Sequence, residues 1–375
     1  MNILLVNWLD LENPQAGGAE LHLFEIFGRI AARGHRIRLV ASGWPGADSK
    51  TRIQDIDITR SGSRTTFTLT GRGAIRRALA EERPDIVVED VNKLPLFSAG
   101  LTDVPSYVIV PHLFGTTAFK EVPWWQAVIV WAAELPIPKA YRRSAFHAIS
   151  ESTRDDLVAR GVAESQVRVI HPGVDSVGFS PRPGLDRTAH PSFLYVGRLK
   201  RYKGVDTAIE ALAVARQGRT DLTLEIAGTG DDRSRLEALA RRLGVSHAVR
   251  FHGFVTDEHK LRLMRTSWAN VFPSVKEGWG LTVIEAAACG TPSLTSNSPG
   301  LRDSVRDGVT GYLFPHGDAP ALARRMLELA ERPALVDTLG KQARAFAETL
   351  TWESAARATE SHLAEVIAEQ SGRET

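Results

Sequence analysis

Glu277 and Glu285, with seven residues between them, mark the part of the chain best suited to a phosphorylated, hydroxyl-rich ligand. They bracket the run EGWGLTVIE, in which the glycines predict a turn that opens a helix. Backbone N–H groups at a helix start have no partner within the helix and favour anions. The acidic side chains would face the same small volume. The alternative is that both glutamates are ordinary helix-start or surface residues.

Arg198 and Lys203 form a second group with chemical potential, in the run GRLKRYKG at residues 197–204. The run follows an apolar stretch of strand length, so it is predicted to be a loop at the end of a buried strand. Arg198 would act as a planar fork and Lys203 as a point charge on one diphosphate. Their task would be to stabilise a departing nucleotide diphosphate. In isolation, the pattern also fits a solvated basic loop.

A glycine pair, Gly17 and Gly18, follows the first predicted strand and leads into a helical pattern. Glycine allows a close approach of the backbone to a ligand, and a helix start favours an anion. Glycine pairs at such turns also occur for reasons of geometry alone. The spacing is not G-x-G-x-x-G, which argues against a dinucleotide-dependent oxidoreductase.

Two further patterns are weaker. His112 follows the predicted strand at residues 107–110, where a lone histidine serves either structure or chemistry. Asp55 and Asp57 form a D-x-D pattern of the kind that holds a divalent metal elsewhere. They lie in a strand-like, basic stretch far from the other motifs, and we interpret them as an exposed strand edge. No His/Cys group has zinc-ligand spacing. Neither a metal nor a cofactor is expected.

The elements that must position these residues follow an alternating pattern. Apolar runs of strand length alternate with helical patterns, which predicts βαβ units and parallel sheets. Strands are predicted at residues 3–7, 37–41, 57–59, 86–89, 107–110, 147–150, 167–170, 193–196, 222–227, 249–251, 269–272, 292–295 and 311–314. Helices are predicted at residues 19–33, 74–82, 126–134, 153–160, 205–216, 233–243, 281–288 and 352–369.

Residues 171–192 are rich in proline and glycine without helical periodicity, and this predicts a linker between two α/β domains. Ligands of open α/β sheets bind outside the carboxyl ends of the strands. The motifs described above follow predicted strands, as that rule requires.

Taken together, the motifs resemble those of retaining glycosyltransferases of family 4, whose fold is called GT-B. The E-x7-E run, the G-R-x-x-x-x-K-G pattern and the run AAACGTP at residues 286–292 carry the resemblance, which covers nearly the whole chain. It implies an α/β fold of two Rossmann-like, doubly wound parallel-sheet domains facing a central cleft. Residues 1–174 would form the acceptor-side domain and residues 175–350 the donor domain, and residues 351–375 a helix crossing back to the first.

The resemblance also implies roles for single residues. Glu285 would bind the ribose hydroxyls and Glu277 the donor sugar, while His112 would lie beside that sugar. The residues implied in catalysis are His112, Arg198, Lys203 and Glu277. The residues implied in donor binding are Gly17, Gly18, Arg198, Lys203, Glu277, Gly278, Gly280, Leu281, Thr282 and Glu285. The chain departs from many members at Leu113 and Asp303, where they have aspartate and glutamate.

The implied function is transfer of a hexose-type sugar from a nucleoside diphosphate sugar to a hydroxyl acceptor, a lipid-linked or polysaccharide glycan. The family retains the anomeric configuration, and a front-face mechanism without metal is expected, in which the leaving phosphate helps to deprotonate the acceptor. Two alternatives share the fold. They are a nucleotide-sugar epimerase of GT-B type and a noncatalytic nucleotide-sugar binding protein.

Composition and charge indicate the class of protein and its location. The 375 residues are 43% hydrophobic and 24% charged, as in a globular protein of two or three domains. A formal charge of +2 is too balanced to argue for a nucleic-acid partner, and the single cysteine, Cys289, favours a reducing, cytoplasmic location. The N-terminal run MNILLV reads as a strand and lacks the basic region of a signal peptide.

Membrane contact is left open by two segments. Residues 50–83 carry an excess of basic side chains, which suits either a solvated surface or anionic lipid headgroups. Residues 122–138 contain Trp124, Trp125 and Trp131 but are too interrupted to span a bilayer. This segment either covers the core or lies at a membrane surface, which would make the protein a peripheral one.

Overall fold

The computed structural model describes residues 1–121 and 123–371. The chain divides into two units, one of residues 1–173 with the C-terminal segment from Trp352, and one of residues 174–351. Each unit is built on one sheet with helices in the crossovers.

The first unit contains an eight-stranded sheet in the order β3-β4-β2-β1-β5-β6-β7-β8. Its strands are β1 (Asn2–Val6), β2 (Arg36–Gly43), β3 (Lys50–Ile53), β4 (Ile56–Ser63), β5 (Ile86–Asp90), β6 (Ser106–Val110), β7 (Ala145–Ala148) and β8 (Val167–Val169). Its first helices are α1 (Gly18–Ala32), α2 (Phe67–Glu81), α3 (Ala118–Glu121), α4 (Trp124–Glu134), α5 (Ile137–Ala140) and α6 (Glu151–Ala159). Neighbouring strands are parallel except for β3 and β4. The central strands are buried on both faces, as parallel sheets require.

The second unit contains a six-stranded parallel sheet in the order β11-β10-β9-β12-β13-β14. Its strands are β9 (Ser192–Val196), β10 (Thr223–Ala227), β11 (Val249–Gly253), β12 (Ala269–Phe272), β13 (Ser293–Ser296) and β14 (Gly311–Phe314). Its helices are α7 (Val205–Ala215), α8 (Arg233–Arg242), α9 (Asp257–Thr266), α10 (Leu281–Ala288), α11 (Leu301–Ser304), α12 (Ala319–Glu331) and α13 (Pro333–Glu348). The predicted class, two α/β domains with parallel sheets, is confirmed.

The last helix, α14 (Trp352–Ser371), belongs to the first unit, where it packs against α1. Arg33, just after α1, pairs with Glu353 at 2.9 Å and also with Glu360. His35 Nε2 lies 2.7 Å from Glu360 Oε1. These side-chain contacts therefore attach α14 to the end of α1 and the residues that follow it.

The prediction that residues 171–192 form a linker is wrong for most of this segment. From Val174 onward the segment belongs to the second unit. Arg187 donates to the carbonyls of Ser267 and Gly290, both at 3.0 Å, and Trp268 Nε1 donates to the Thr188 carbonyl at 2.9 Å. Side-chain hydrogen bonds fix a stretch whose proline and glycine content alone predicted a free connection.

The D-x-D pattern also differs from its interpretation. Asp55 lies in the turn between β3 and β4 with φ of 63°. Asp57 lies on β4, whose outer edge pairs with β3. The sheet edge is therefore β3, which the sequence pattern did not reveal. Arg52 pairs with Asp55 at 3.2 Å and with Asp57 at 3.3 Å, so these carboxylates have a structural partner.

Two expectations about the surface change as well. The side chains of Trp124 and Trp125 are 73% and 51% exposed, so the idea that this segment covers the core is wrong for them. Val122, also in that segment, lies outside the described residues. Arg60, counted in the basic stretch, is buried and pairs with Asp10 at 2.7 Å and Glu12 at 2.6 Å. Part of that stretch therefore serves the interior of the first unit.

Candidate functional site

The second sheet reverses its strand order beside β9, whose neighbours are β10 on one side and β12 on the other. In open α/β sheets, ligands bind at such a switch point, outside the carboxyl ends of the strands. The loops that leave β9 and β12 there are residues 197–204 and 273–280. They carry the two predicted cations and the first predicted glutamate.

Lys203 and Glu277 meet across this switch point. Lys203 Nζ lies 2.5 Å from Glu277 Oε1, and the two side chains are only 11% and 15% exposed. Burial lowers the pKa of Lys203, but the Glu277 carboxylate outweighs it, so the net pKa is raised. Lys203 therefore carries its charge at any physiological pH. It also lies 5.0 Å from the ring of Tyr202 and 5.5 Å from that of Phe272.

Arg198 has a different environment from Lys203. It is exposed, and within the described part of the chain its guanidinium has no hydrogen-bond or ion-pair partner. It is near enough for its charge to lower the pKa of Lys203, against the larger opposing effect of Glu277. Its carbonyl accepts a hydrogen bond from Tyr195 Oη at 2.9 Å, which holds the backbone of the loop. The backbone of the loop is thus held in place, and the exposed guanidinium is available to an anion.

Close backbone packing holds the cation loop on both sides. On the β10 side, Leu199 N donates to the Thr229 carbonyl at 2.8 Å, and a Cβ on Gly230 would lie 2.0 Å from the Leu199 oxygen. On the β12 side, a Cβ on Gly204, whose φ is +66°, would lie 2.5 Å from the Pro273 oxygen. Only glycine fits these positions. The glycines therefore set the position of the two cations.

The turn that carries Glu277 is equally constrained. Glu277 N donates to the Pro299 carbonyl at 3.1 Å, and a Cβ on Gly300 would lie 2.2 Å from the Glu277 oxygen. Gly280 has φ of 93° and precedes α10, which begins at Leu281 as predicted. Gly278, Leu281 and Thr282 are half-buried around this start. The amides of a first helical turn have no partner within the helix, so they are available to phosphate oxygens.

Glu285 lies inside α10 and is buried. Its Oε2 is 2.6 Å from Nζ of Lys260 on α9. Burial raises the pKa of Glu285, and Lys260 partly opposes this rise. Sequence reasoning missed Lys260, because nothing in the helical pattern of α9 separates it from solvent-facing lysines.

The other predicted residues lie in the first unit. Gly17 precedes α1, which begins at Gly18, and its N–H donates to Glu20 Oε2 at 2.8 Å. The chain itself therefore satisfies the Gly17 amide, which was predicted to bind the donor. His112 follows β6, and its ring centroid is 4.9 Å from that of Phe114.

Between residues 1 and 371, apart from residue 122, no three His, Cys, Asp or Glu side chains are grouped so that they could hold a metal ion. No helix in the same part of the chain has the length and apolar character needed to cross a membrane.

Two α/β units, each built on a doubly wound sheet, have the architecture of GT-B glycosyltransferases. Solved structures agree on this fold. Sucrose-phosphate synthase from Thermosynechococcus elongatus matches with a TM-score of 0.84 and 22% identity, covering 98% of this chain and 99% of that one. Anabaena HepE in complex with UDP and glucose matches with a TM-score of 0.76 and 19% identity, covering 97% and 100%.

Sequence comparisons identify the family. Residues 181–346 match the model of glycosyl transferases group 1, and residues 16–177 match that of glycosyltransferase family 4. The chain is 30% identical to glycogen synthase from Mycobacterium tuberculosis over 395 aligned residues, covering 96% of this chain and 93% of that protein. This chain belongs to glycosyltransferase family 4. It is thus a nucleotide-sugar glycosyltransferase with the GT-B fold, as the motifs predicted.

Proposed function

We propose that this protein transfers a hexose-type sugar from a nucleoside diphosphate sugar to a hydroxyl of a glycan or lipid-linked acceptor, with retention at the anomeric carbon. The observation that carries the proposal is the Lys203–Glu277 pair at the switch point of the second sheet, with Arg198 beside it. A cation fixed before the reaction stabilises charge that develops on a leaving diphosphate without further reorganisation.

The roles follow from the environments of the side chains. Lys203 is fixed and charged, so it suits the oxygen at which the bond to the sugar breaks. Arg198 is free to fold onto the diphosphate as a fork. Glu277, held against Lys203, faces the same volume and suits the sugar hydroxyls. The leaving phosphate then assists removal of the acceptor proton, which is the step expected for a front-face reaction.

Glu285 suits the ribose. A carboxylate that is buried and paired on one side with Lys260 is held in one orientation, and its remaining lone pairs can accept hydroxyl hydrogen bonds. The amides of Gly280, Leu281 and Thr282 at the start of α10 suit the phosphates. Gly17, Gly18 and His112 remain predictions as donor contacts.

A panel of nucleotide sugars tests the proposal. UDP- and GDP-linked hexoses are titrated into the protein, and the melting temperature is recorded. At a concentration about 100-fold above Kd, a bound donor stabilises by about 2.7 kcal/mol, which should raise Tm by several degrees. The free hexoses serve as controls and should leave Tm unchanged. If no nucleotide sugar raises Tm, the proposal is wrong.

Turnover assays separate the alternatives. A transferase releases the nucleoside diphosphate faster when a hydroxyl acceptor is supplied. An epimerase converts the donor without any acceptor, and a binding protein shows the Tm shift without turnover. Only the first result supports the proposed function.

We also propose peripheral contact with an anionic membrane at the cytoplasmic side, through α4. Trp124, Trp125 and Ile129 on this helix are exposed, and single exposed apolar residues are common whereas a contiguous group of this size is not. Lys139 and Arg142, which follow the helix closely in sequence, are also exposed and suit anionic headgroups. This proposal rests on α4 rather than on the basic stretch, part of which is paired internally.

We expect the double variant Trp124→Ala/Trp125→Ala to lose most of its binding to phosphatidylglycerol vesicles. Each substitution removes an indole that supplies roughly 150–250 Å² of contact area, enough to reduce the vesicle partition coefficient of the protein at least tenfold. Co-sedimentation measures this. Phe254→Ala is the matched control, because Phe254 in the second unit is an aromatic residue that is even more exposed than Trp124 and Trp125. If the unaltered protein does not sediment with the vesicles, the membrane proposal fails while the transferase proposal stands.

A further inference from the structure

The first unit has a pocket at its own switch point. Its sheet reverses strand order beside β1, whose neighbours are β2 and β5. The pocket has a volume of about 510 Å³, and its walls come from the loops after β1, β4 and β5. Its lining includes Trp8, Gln15, Arg64, Thr65, Lys93 and Leu94. A second ligand site is therefore expected here on the rule that places ligands beyond the carboxyl ends of parallel strands.

Two cations line this pocket together. Lys93 has a side chain that is 25% exposed, and its Nζ lies 3.3 Å from Glu20 Oε1. Burial lowers the pKa of Lys93, and the nearby charge of Arg64 adds to that effect while Glu20 opposes it. Arg64 donates to the side-chain oxygen of Gln15, a neutral partner that leaves its charge unbalanced. Glu20 balances the charge of Lys93 on one side, and an anion placed between Arg64 and Lys93 would reduce the repulsion between these two cations.

Two carboxylates near these cations, Glu20 and Asp90, differ in their environments. Glu20 accepts hydrogen bonds from Gly17 N, Asn92 and Lys93. Asp90 at the end of β5 is buried, and its burial, followed by the charge of Glu20, raises its pKa well above the usual range, which favours its neutral form.

Two further carboxylates stand on the same loop after β1. Asp10 and Glu12 both pair with the buried guanidinium of Arg60. Both carboxylates are therefore held by Arg60 and by neither Arg64 nor Lys93, and the single charge of Arg60 balances one of their two negative charges.

A fixed aromatic surface lies beside the cations. Trp8 Nε1 donates to the Leu94 carbonyl at 2.8 Å, and its ring packs edge-on against Phe67 with 5.5 Å between centroids. The indole is thus held in one orientation at the pocket wall. Thr65 adds a hydroxyl that can donate to an oxyanion.

We propose that this pocket binds a phosphate ester group of the acceptor, with Arg64 as a fork on two phosphate oxygens and Lys93 as a point charge. The inference rests on the proposed function, since it names the class of acceptor for that transferase: a phosphorylated one. The phosphate group can belong to a small sugar phosphate or to a lipid headgroup, and both present the same oxygens to the pocket.

The test is a calorimetric titration of the full chain with glucose 6-phosphate, with glucose as the neutral comparison. We expect glucose 6-phosphate to bind at least tenfold more tightly than glucose, and Arg64→Gln to remove about tenfold of that affinity. Lys93→Met should have an effect of similar size. Arg76→Gln is the matched control, because Arg76 is an exposed arginine of the same unit outside the pocket. The affinity of this variant for glucose 6-phosphate should stay within about twofold of that of the unaltered protein.

Vesicles containing phosphatidic acid distinguish the two sources. A lipid source is indicated if the vesicles bind, Arg64→Gln weakens that binding, and glucose 6-phosphate does not bind. A soluble acceptor is indicated if glucose 6-phosphate binds, Arg64→Gln weakens that binding, and the vesicles do not bind. If Arg64→Gln changes neither binding event, the inference is overturned. UDP titrated into Arg64→Gln should bind as it does to the unaltered protein. Failure of UDP to bind the unaltered protein would instead count against the proposed function.

Discussion

The substitution Lys203→Ala is expected to lower kcat/KM for sugar transfer by roughly 10²–10³-fold. Lys203 is the fixed charge at the switch point, only 11% exposed and held against Glu277. Its loss removes a positive charge that is oriented before the reaction, in a site where water screens little. Steady-state kinetics with saturating acceptor measures the effect, and calorimetry with the donor should show weaker binding.

The same substitution also leaves Glu277 without its partner. Removing one member of a fully buried pair costs about 3–5 kcal/mol, and somewhat less is expected here because Glu277 is partly exposed. The double variant Lys203→Ala/Glu277→Gln removes the unpaired charge and should recover most of the lost stability. It should not recover donor affinity. This separates a folding defect from a binding defect.

Lys200→Ala is the matched control for Lys203→Ala. Lys200 stands on the same loop and pairs with Asp231 at 2.7 Å, but its side chain is 43% exposed. A pair that exposed contributes little to stability, so stability and turnover should remain close to those of the unaltered protein. If Lys203→Ala folds and binds the donor with unchanged affinity, the role assigned to Lys203 is wrong.

Features contained in one short stretch of sequence were predictable. The start and end of α10 were predicted at Leu281 and Ala288, because a glycine at the turn and the run of apolar residues and alanine after it determine both. The cation loop was predictable for a similar reason, since Gly197 and Gly204 flank Arg198 and Lys203 within eight residues. The contact of Lys203 with Glu277 joins two loops of one switch point, and the family resemblance implied that both serve one ligand.

Features that depend on contacts between distant segments were not predictable. The partner of Glu285 is Lys260, on a helix whose polar pattern resembles any solvent-facing surface. The strand β3 is polar and short, so its pairing with β4 left no apolar signature. The sequence left open whether Trp124 and Trp125 are exposed, because a helix that is apolar on nearly every side gives no periodic signal for which face packs inward.

A cluster of three buried histidines leads to the second large effect, a loss of stability in mild acid. His22 on α1, His147 on β7 and His362 on α14 lie in the first unit. The rings of His22 and His147 are 5.6 Å apart, and His362 Nδ1 lies 2.9 Å from Tyr107 Oη. Within the described residues, neither ring nitrogen of His22 has a hydrogen-bond partner. The cluster is therefore built for neutral imidazoles.

Burial lowers all three pKa values. It lowers that of His22 to about 3, helped by the charge of His147, and that of His147 to about 4, against a hydrogen bond to the Ile170 carbonyl. Burial, with the charge of Arg168, lowers the pKa of His362 to about 4. In the unfolded chain each histidine titrates near pH 6.5. Between about pH 4 and 6.5 the unfolded chain binds protons that the folded chain does not.

This difference in proton binding determines the direction in which stability changes with pH. Stability is fully present above about pH 6.5 and is lost as the pH falls towards the folded pKa values. At pH 5 each histidine contributes a loss of roughly 2 kcal/mol, so about 6 kcal/mol is expected for the three. Asp90 and Glu285 act in the opposite direction, because their folded pKa values are raised. A loss of this size exceeds half the stability of many domains.

Urea unfolding at pH 7.5 and pH 5.0 measures the loss of stability. Helix α14 carries His362 and contacts His22 through Trp352. Hydrogen exchange of α14 shows whether this helix opens first. The variant His22→Phe keeps an aromatic ring but cannot bind a proton, so its loss between the two pH values should be smaller by roughly 2 kcal/mol. His316→Phe is the matched control, because His316 is exposed in the second unit and its substitution should leave the pH dependence unchanged. An equal loss in His22→Phe and in the unaltered protein would show that acid acts elsewhere, since the only change made is the removal of one titrating ring from the cluster.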